Sequence, residues 1–213
     1  MTTQLDHEQS VLVSSFGLEG SLGLPRDRPK GLVIFAHGSG SSRSSPRNTY
    51  VAKALRQAGL ATLLFDLLTE REAADRANVF DIPLLAERLA AATEWARSFE
   101  PTHLLPVHYF GASTGAAAAL VAAAQPNIGV AAIVSRGGRP DLATTALAHV
   151  RAPALLIVGG SDTDVLTLNR SALRQLHCEA KLEIVPGATH LFEEPGALEK
   201  VVELARDWFL AHA

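Results

Sequence analysis

The chain has 213 residues, 47% of them apolar and 19% charged, with a formal net charge of −3. A chain of this size buries roughly 70% of the surface it exposes when unfolded, so its core needs no disulfide or metal. The single cysteine, Cys178, excludes an internal disulfide framework and a Cys-only metal site, and the absence of a basic stripe argues against nucleic acid or an anionic membrane as partner.

Residues 1–10 are polar and acidic, unlike the charged-then-apolar design of a signal peptide. The longest alanine-rich run, 116–124, is about half the length needed to span a bilayer. The expectation is a soluble cytoplasmic protein with one domain over 1–213.

Strand-length apolar runs then alternate with stretches of helical period. Residues 11–16 and 21–24, split by Gly17 and Gly20, predict an antiparallel hairpin. The run 31–36 (GLVIFA) predicts a strand buried on both faces, and 48–57 a helix stopped at Gly59. A strand at 61–67 and a helix at 82–99 follow, then a strand at 104–110 and a helix at 114–124. Next come a strand at 130–135, a short helix near 142–149, a strand at 154–158 and a helix at 166–176, and last a strand at 181–185 and a helix at 196–211. This alternation predicts an α/β fold, a mostly parallel sheet with an N-terminal antiparallel hairpin and helices on both faces. In such sheets the chemistry lies just beyond the carboxyl ends of the strands.

Gly111-Ala112-Ser113-Thr114-Gly115 has the form G-x-S-x-G and sits between an apolar strand and an alanine-rich helix. The pattern is weak alone, but a strand before and a helix after are the context in which it forms a nucleophile elbow. The small residues let strand and helix approach closely enough to hold the serine above the sheet, and the helix N-terminus favours negative charge there. Ser113 is therefore the candidate nucleophile.

A serine hydroxyl needs a base, and the base an orienting carboxylate. Asp162 follows the strand ALLIV, and His190 follows KLEIV, in the order Ser, Asp, His. Asp164 is the rival acid, but it reads as an N-cap of the next helix, so Asp162 is preferred. His37, beside Gly38 at a strand end, reads as ordering the oxyanion loop, and His108 as either packed or hydrogen-bonded in the core inside a strand. The other five histidines (His7, His103, His149, His177 and His212) fall in helix ends, terminal segments or connections, and no pair has zinc-site spacing.

The oxyanion needs two backbone N–H donors, for which Thr114 and Ser39 are the candidates. His37, Arg136 and Arg139 are candidates for contact with substrate, the two arginines through a carboxylate. A solvent-facing arginine is the alternative for each. The charged stretch 68–81 reads either as a partial cover over the site or as a surface connection. About 18 residues separate the strand at 130–135 from Ala154, too few for a helical lid domain.

The HGSGSS loop, the GASTG elbow, the run from Gly159 to Val165 and Thr189-His190 together resemble the dienelactone hydrolase-related α/β hydrolases. The resemblance runs from Gly31 to the last helix, and the stretch from His37 to Leu68 is especially similar to a lidless bacterial subgroup. It implies hydrolysis of a small ester or lactone through an acyl-enzyme, without cofactor. Dienelactone hydrolase proper carries cysteine in the elbow, whereas this chain has Ser113, which favours a general carboxylesterase. Transfer of the acyl group to an alcohol or peroxide, and a non-catalytic binding module on the same fold, are the competing expectations.

Overall fold

In the computed structural model the described residues are 7–213, so positions 1–6 of the polar opening stretch lie outside them. The hairpin is β1 (His7–Val13) and β2 (Leu18–Leu24), paired antiparallel through a turn in which Ser14 and Gly17 take positive φ. The expected hairpin starts later, at residue 11, because residues 7–10 carry no apolar alternation; they pair with β2 through the backbone, and Glu8 adds side-chain bonds to Ser21 and Arg56.

The remaining strands are β3 (Leu32–Ala36), β4 (Ala61–Phe65), β5 (Val107–Ala112), β6 (Ala132–Arg136), β7 (Ala154–Gly159) and β8 (Ala180–Val185). They form one eight-stranded sheet in the order β1-β2-β4-β3-β5-β6-β7-β8. It is parallel from β4 to β8, with β2 antiparallel to β4. β5 lies three residues later than the sequence suggests at its start, since Pro106 precedes the ladder and Leu104 is left exposed.

The helices are α1 (Pro46–Gln57), α2 (Glu70–Ala73), α3 (Arg76–Val79), α4 (Ile82–Ser98), α5 (Thr114–Ala123), α6 (Thr163–Leu173) and α7 (Ala197–Ala211). A 3₁₀ segment, Pro140–His149, broken at Thr144, is what the β6–β7 connection holds. Period-2 alternation divides the central strands between two apolar layers. Ile34, Tyr109 and Ile133 pack with α4 and α5, while Phe35, Phe110 and Val134 pack with α1 and α7. Among the described residues no helix is long and apolar enough to cross a membrane.

His108 lies inside this second layer. It is fully buried against Phe209, with ring centroids 5.2 Å apart, and neither ring nitrogen has a hydrogen-bond partner among the described residues. Burial, and secondarily the nearby His212, lowers its pKa from 6.5 to about 4. Its neutral form is therefore favoured by folding. Below pH 6.5 the unfolded chain binds a proton that the folded chain refuses, so this part of the stability is lost as pH falls towards 4. The full loss is about 3 kcal/mol. Denaturant titrations across that range are expected to show the decline, and His108→Leu to flatten it by about 1.4 kcal/mol per pH unit. An unchanged slope in the variant rules His108 out as its source.

Candidate active site

The elbow begins with glycine requirements. Gly115 packs so closely that a Cβ there would run into the Ala36 and His37 carbonyls, and a Cβ on Gly111 would meet the Ala116 backbone. These two glycines let β5 turn directly into α5, with Ser113 at the N-cap position at φ 51, ψ −121. Few L-residues adopt that conformation, and the main chain holds it from both sides. The Ser113 N–H donates to the Arg136 carbonyl (3.3 Å), and the Ser113 carbonyl accepts from Ala116 and Arg139 (3.1 Å each). None of these bonds uses the hydroxyl, which is left clear above the sheet.

Asp162 and His190 arrive on two loops strapped together by main-chain bonds, Gly160 N–H to Val185 O at 2.8 Å and Ser161 N–H to Ala188 O at 2.9 Å. Gly159 allows the approach, since a Cβ there would strike the Ala188 and Thr189 carbonyls. His190 Nδ1 lies 2.7 Å from Asp162 Oδ2. With the carboxylate as acceptor, Nδ1 carries the proton and Nε2 is free to accept one. The imidazole rests over Gly137, whose Cβ position would be 3.5 Å from His190 Cε1 and Nδ1. Gly137 follows Arg136, the residue that holds the Ser113 N–H. Ser113, His190 and Asp162 thus lie at one end of the sheet, with the His190 loop resting on the residue that follows Arg136.

The helix carrying Asp162 corrects the sequence reading in one respect. α6 starts at Thr163, three residues before the expected start, so Asp164 is in its first turn rather than at its N-cap. Asp162 occupies the cap position, but its side chain makes no capping bond and serves His190 instead.

Thr114 and Ser39 are adjacent, in an arrangement the sequence did not suggest. The Ser39 N–H donates to the Thr114 hydroxyl (2.9 Å), which pins the His37–Ser42 loop to the start of α5. The Thr114 N–H, at the first position of the helix, has no intrahelical acceptor.

His37 lines a cavity but is not available to bind substrate through its ring nitrogens. Nε2 accepts from the Leu67 N–H (3.2 Å), which leaves Nδ1–H to donate to the Gly38 carbonyl (3.1 Å). Burial lowers its pKa despite the Gly38 carbonyl and Asp66 nearby, so it acts as a neutral brace for the loop. Arg139 is also engaged, in a two-pronged ion pair with Asp141 at 2.8 and 2.7 Å. Arg136 differs from both: it is 8% exposed and has no ion-pair partner among the described residues.

The stretch 68–81 forms the two short helices α2 and α3 and walls the site. α2 starts in a capping box between Thr69 and Glu72, a T-x-x-E signal that was readable in the sequence. Glu72 is fastened to Arg88 (2.7 Å), and its carboxyl is held below its usual range by the Thr69 backbone first, then by Arg88. Leu67, Leu68, Ala73, Val79 and Leu85 face the His37–Ser42 loop and Thr114 across an apolar cavity of about 320 Å³. Among the described residues no group of three His, Cys, Asp or Glu is gathered in a way that could hold a metal.

An alpha/beta hydrolase domain family model matches residues 29–203, and the chain belongs to that family. A dienelactone hydrolase from Anabaena variabilis is 55% identical to it, with a TM-score of 0.91 over 98% of both chains. Two Mycobacterium tuberculosis proteins, provisionally named phosphoribosyl transferases, are 58% identical over 207 residues. That match covers 97% of this chain and 46% of theirs, so the chain spans about half the length of these curated relatives. A lidless α/β serine hydrolase of Xanthomonas campestris shares the fold at 22% identity, with a TM-score of 0.77 over 99% of this chain and 96% of its own. The fold of these relatives is the one described above, with the hairpin at one edge of a mostly parallel sheet.

Proposed function

We propose that the protein is a serine hydrolase that cleaves small carboxylic esters or lactones through an acyl-enzyme, with Ser113 as nucleophile, His190 as base and Asp162 as its orienting acid. The observation that carries this reading is the His190–Asp162 bond of 2.7 Å, beside a serine held at φ 51 on the strand-to-helix turn.

Ser113 Oγ bonds to the substrate carbonyl carbon while its proton passes to His190 Nε2. The resulting oxyanion takes the Thr114 N–H and the Ser39 N–H, which requires Ser39 to exchange the Thr114 hydroxyl for the developing charge. The C–O bond to the leaving alcohol breaks as His190 returns the proton to it. Water, deprotonated by His190, then attacks the acyl-enzyme and releases the acid and Ser113. The apolar cavity beside Ser39 takes a small hydrocarbon portion of the substrate; its volume is at the lower end for ligand sites.

A fluorophosphonate probe is expected to label the protein at one residue, Ser113, as located by peptide mass spectrometry. Absence of label there would overturn the assignment and favour a binding module that keeps the fold without turnover.

A further inference from the structure

β8 is the last strand of the sheet, and among the described residues nothing pairs with its outer edge. Its pairing with β7 fixes which main-chain groups face that edge. The Ala154 N–H donates to the Glu179 carbonyl (2.9 Å) and the Gly160 N–H to the Val185 carbonyl (2.8 Å). In a parallel ladder every second residue turns its N–H and C=O towards the same neighbour, so Glu179, Lys181, Glu183 and Val185 face β7. Ala180, Leu182 and Ile184 direct theirs outwards.

The side chains follow the same alternation. Leu182 packs on Val158, Val165 and Leu166, and Ile184 on the same side is 40% exposed. On the other side Val185 is buried in the layer of Val201 and Phe209, while Lys181 and Glu183 lie further from the core and pair with each other at 2.6 Å. A lysine on an open edge ordinarily keeps other strands away by its charge. Here a glutamate stands two positions on, so two copies of the edge repel in some registers and complement each other in one.

That register sets two β8 strands antiparallel with Leu182 opposite its own symmetry mate. The outward groups of Ala180 then meet those of Ile184, and Leu182 meets Leu182, in hydrogen-bonded pairs. Lys181 falls opposite Glu183 in the closer, non-hydrogen-bonded pairs. The smallest slip that keeps the outward groups matched is two residues. It sets Glu183 against Glu183 in one direction and Lys181 against Lys181 in the other, and like charges directly opposite are unfavourable.

We infer that β8 is the surface through which two copies of this chain associate, as a two-fold dimer with the two sheets joined edge to edge. Main-chain bonds and the apolar row of Ala180, Leu182 and Ile184 supply the attraction. Each copy already holds its Lys181–Glu183 pair, so exchanging it across the interface sets the register more than the affinity. The contact is self-complementary and closes at two copies. It stands independently of the reading of Ser113 as nucleophile.

Sedimentation equilibrium of the full chain is expected to show a species of twice the chain mass. Lys181→Glu and Glu183→Lys each put like charges opposite one another, and each is expected to raise the dissociation constant by about tenfold to a hundredfold. The double variant is expected to return it to the wild-type value. An equimolar mixture of the two single variants is expected to form a heterodimer, because one strand then carries two glutamates and the other two lysines. Ile184→Pro removes an outward N–H that β7 does not use, so a folded monomer is the expected product. If that variant does not fold, the charge exchanges at the two surface positions decide the matter. A wild-type chain that sediments as a monomer at its highest soluble concentration would overturn the proposal. So would a dimer that the single exchanges leave intact, or one that neither the double variant nor the mixture rebuilds.

Discussion

Ser113→Ala is expected to lower kcat on a short-chain p-nitrophenyl ester by about 10⁶-fold, since removing the nucleophile of such a site costs nearly all of its chemistry. The fold should survive, because the bonds that hold the elbow, to Arg136, Ala116 and Arg139, all use the Ser113 backbone. The strain at the elbow gives a second readout that separates function from structure. Alanine keeps the penalty of φ 51, whereas glycine does not pay it. Ser113→Gly should therefore be as inactive as Ser113→Ala yet more stable in urea by about 1 kcal/mol, after the extra chain entropy of glycine is subtracted. Residual burst release of p-nitrophenol in the alanine variant would place the nucleophile elsewhere.

The parts of this site that were legible in the sequence are those set by local geometry. Gly111 and Gly115 stand where β5 and α5 touch, and their identity announces a turn that tolerates no Cβ. Asp162 and His190 are legible as candidates because a parallel sheet gathers its strand ends at one edge, so position after an apolar run is already spatial information. The start of α6 was misplaced because apolar periodicity marks the face that packs, beginning at Val165 and Leu166, and not the exposed first turn before it. The bond from the Ser39 N–H to the Thr114 hydroxyl joins residues far apart in the chain, and no spacing encodes it. Likewise, Arg139 and Arg136 look alike in sequence, but Arg139 has Asp141 two residues away and Arg136 has no such neighbour. His37 was read as both loop brace and substrate contact, and its two ring bonds leave only the first role open to its nitrogens.

The sharper discrimination concerns the two acids of the Gly159–Val165 run. Asp162→Asn is expected to lower kcat by about 10⁴-fold at neutral pH, and Asp164→Asn by less than about twofold. Asn at 162 retains the shape of the side chain, but its amide can donate to His190 Nδ1. That hydrogen bond favours the tautomer with the proton on Nε2, which can no longer take one from Ser113. The helix is not the cause of the loss, because Asp162 makes no capping bond with its side chain and Asn caps as well as Asp. Asp164 is exposed in the first turn of α6, where its charge contributes about 0.3–1 kcal/mol to the helix and nothing to the imidazole. Steady-state rates of the two variants, with urea titrations as the stability control, decide between the acids. A large loss of kcat in Asp164→Asn with Asp162→Asn near wild type would mean that the bond between His190 and Asp162 is not the one that orients the base.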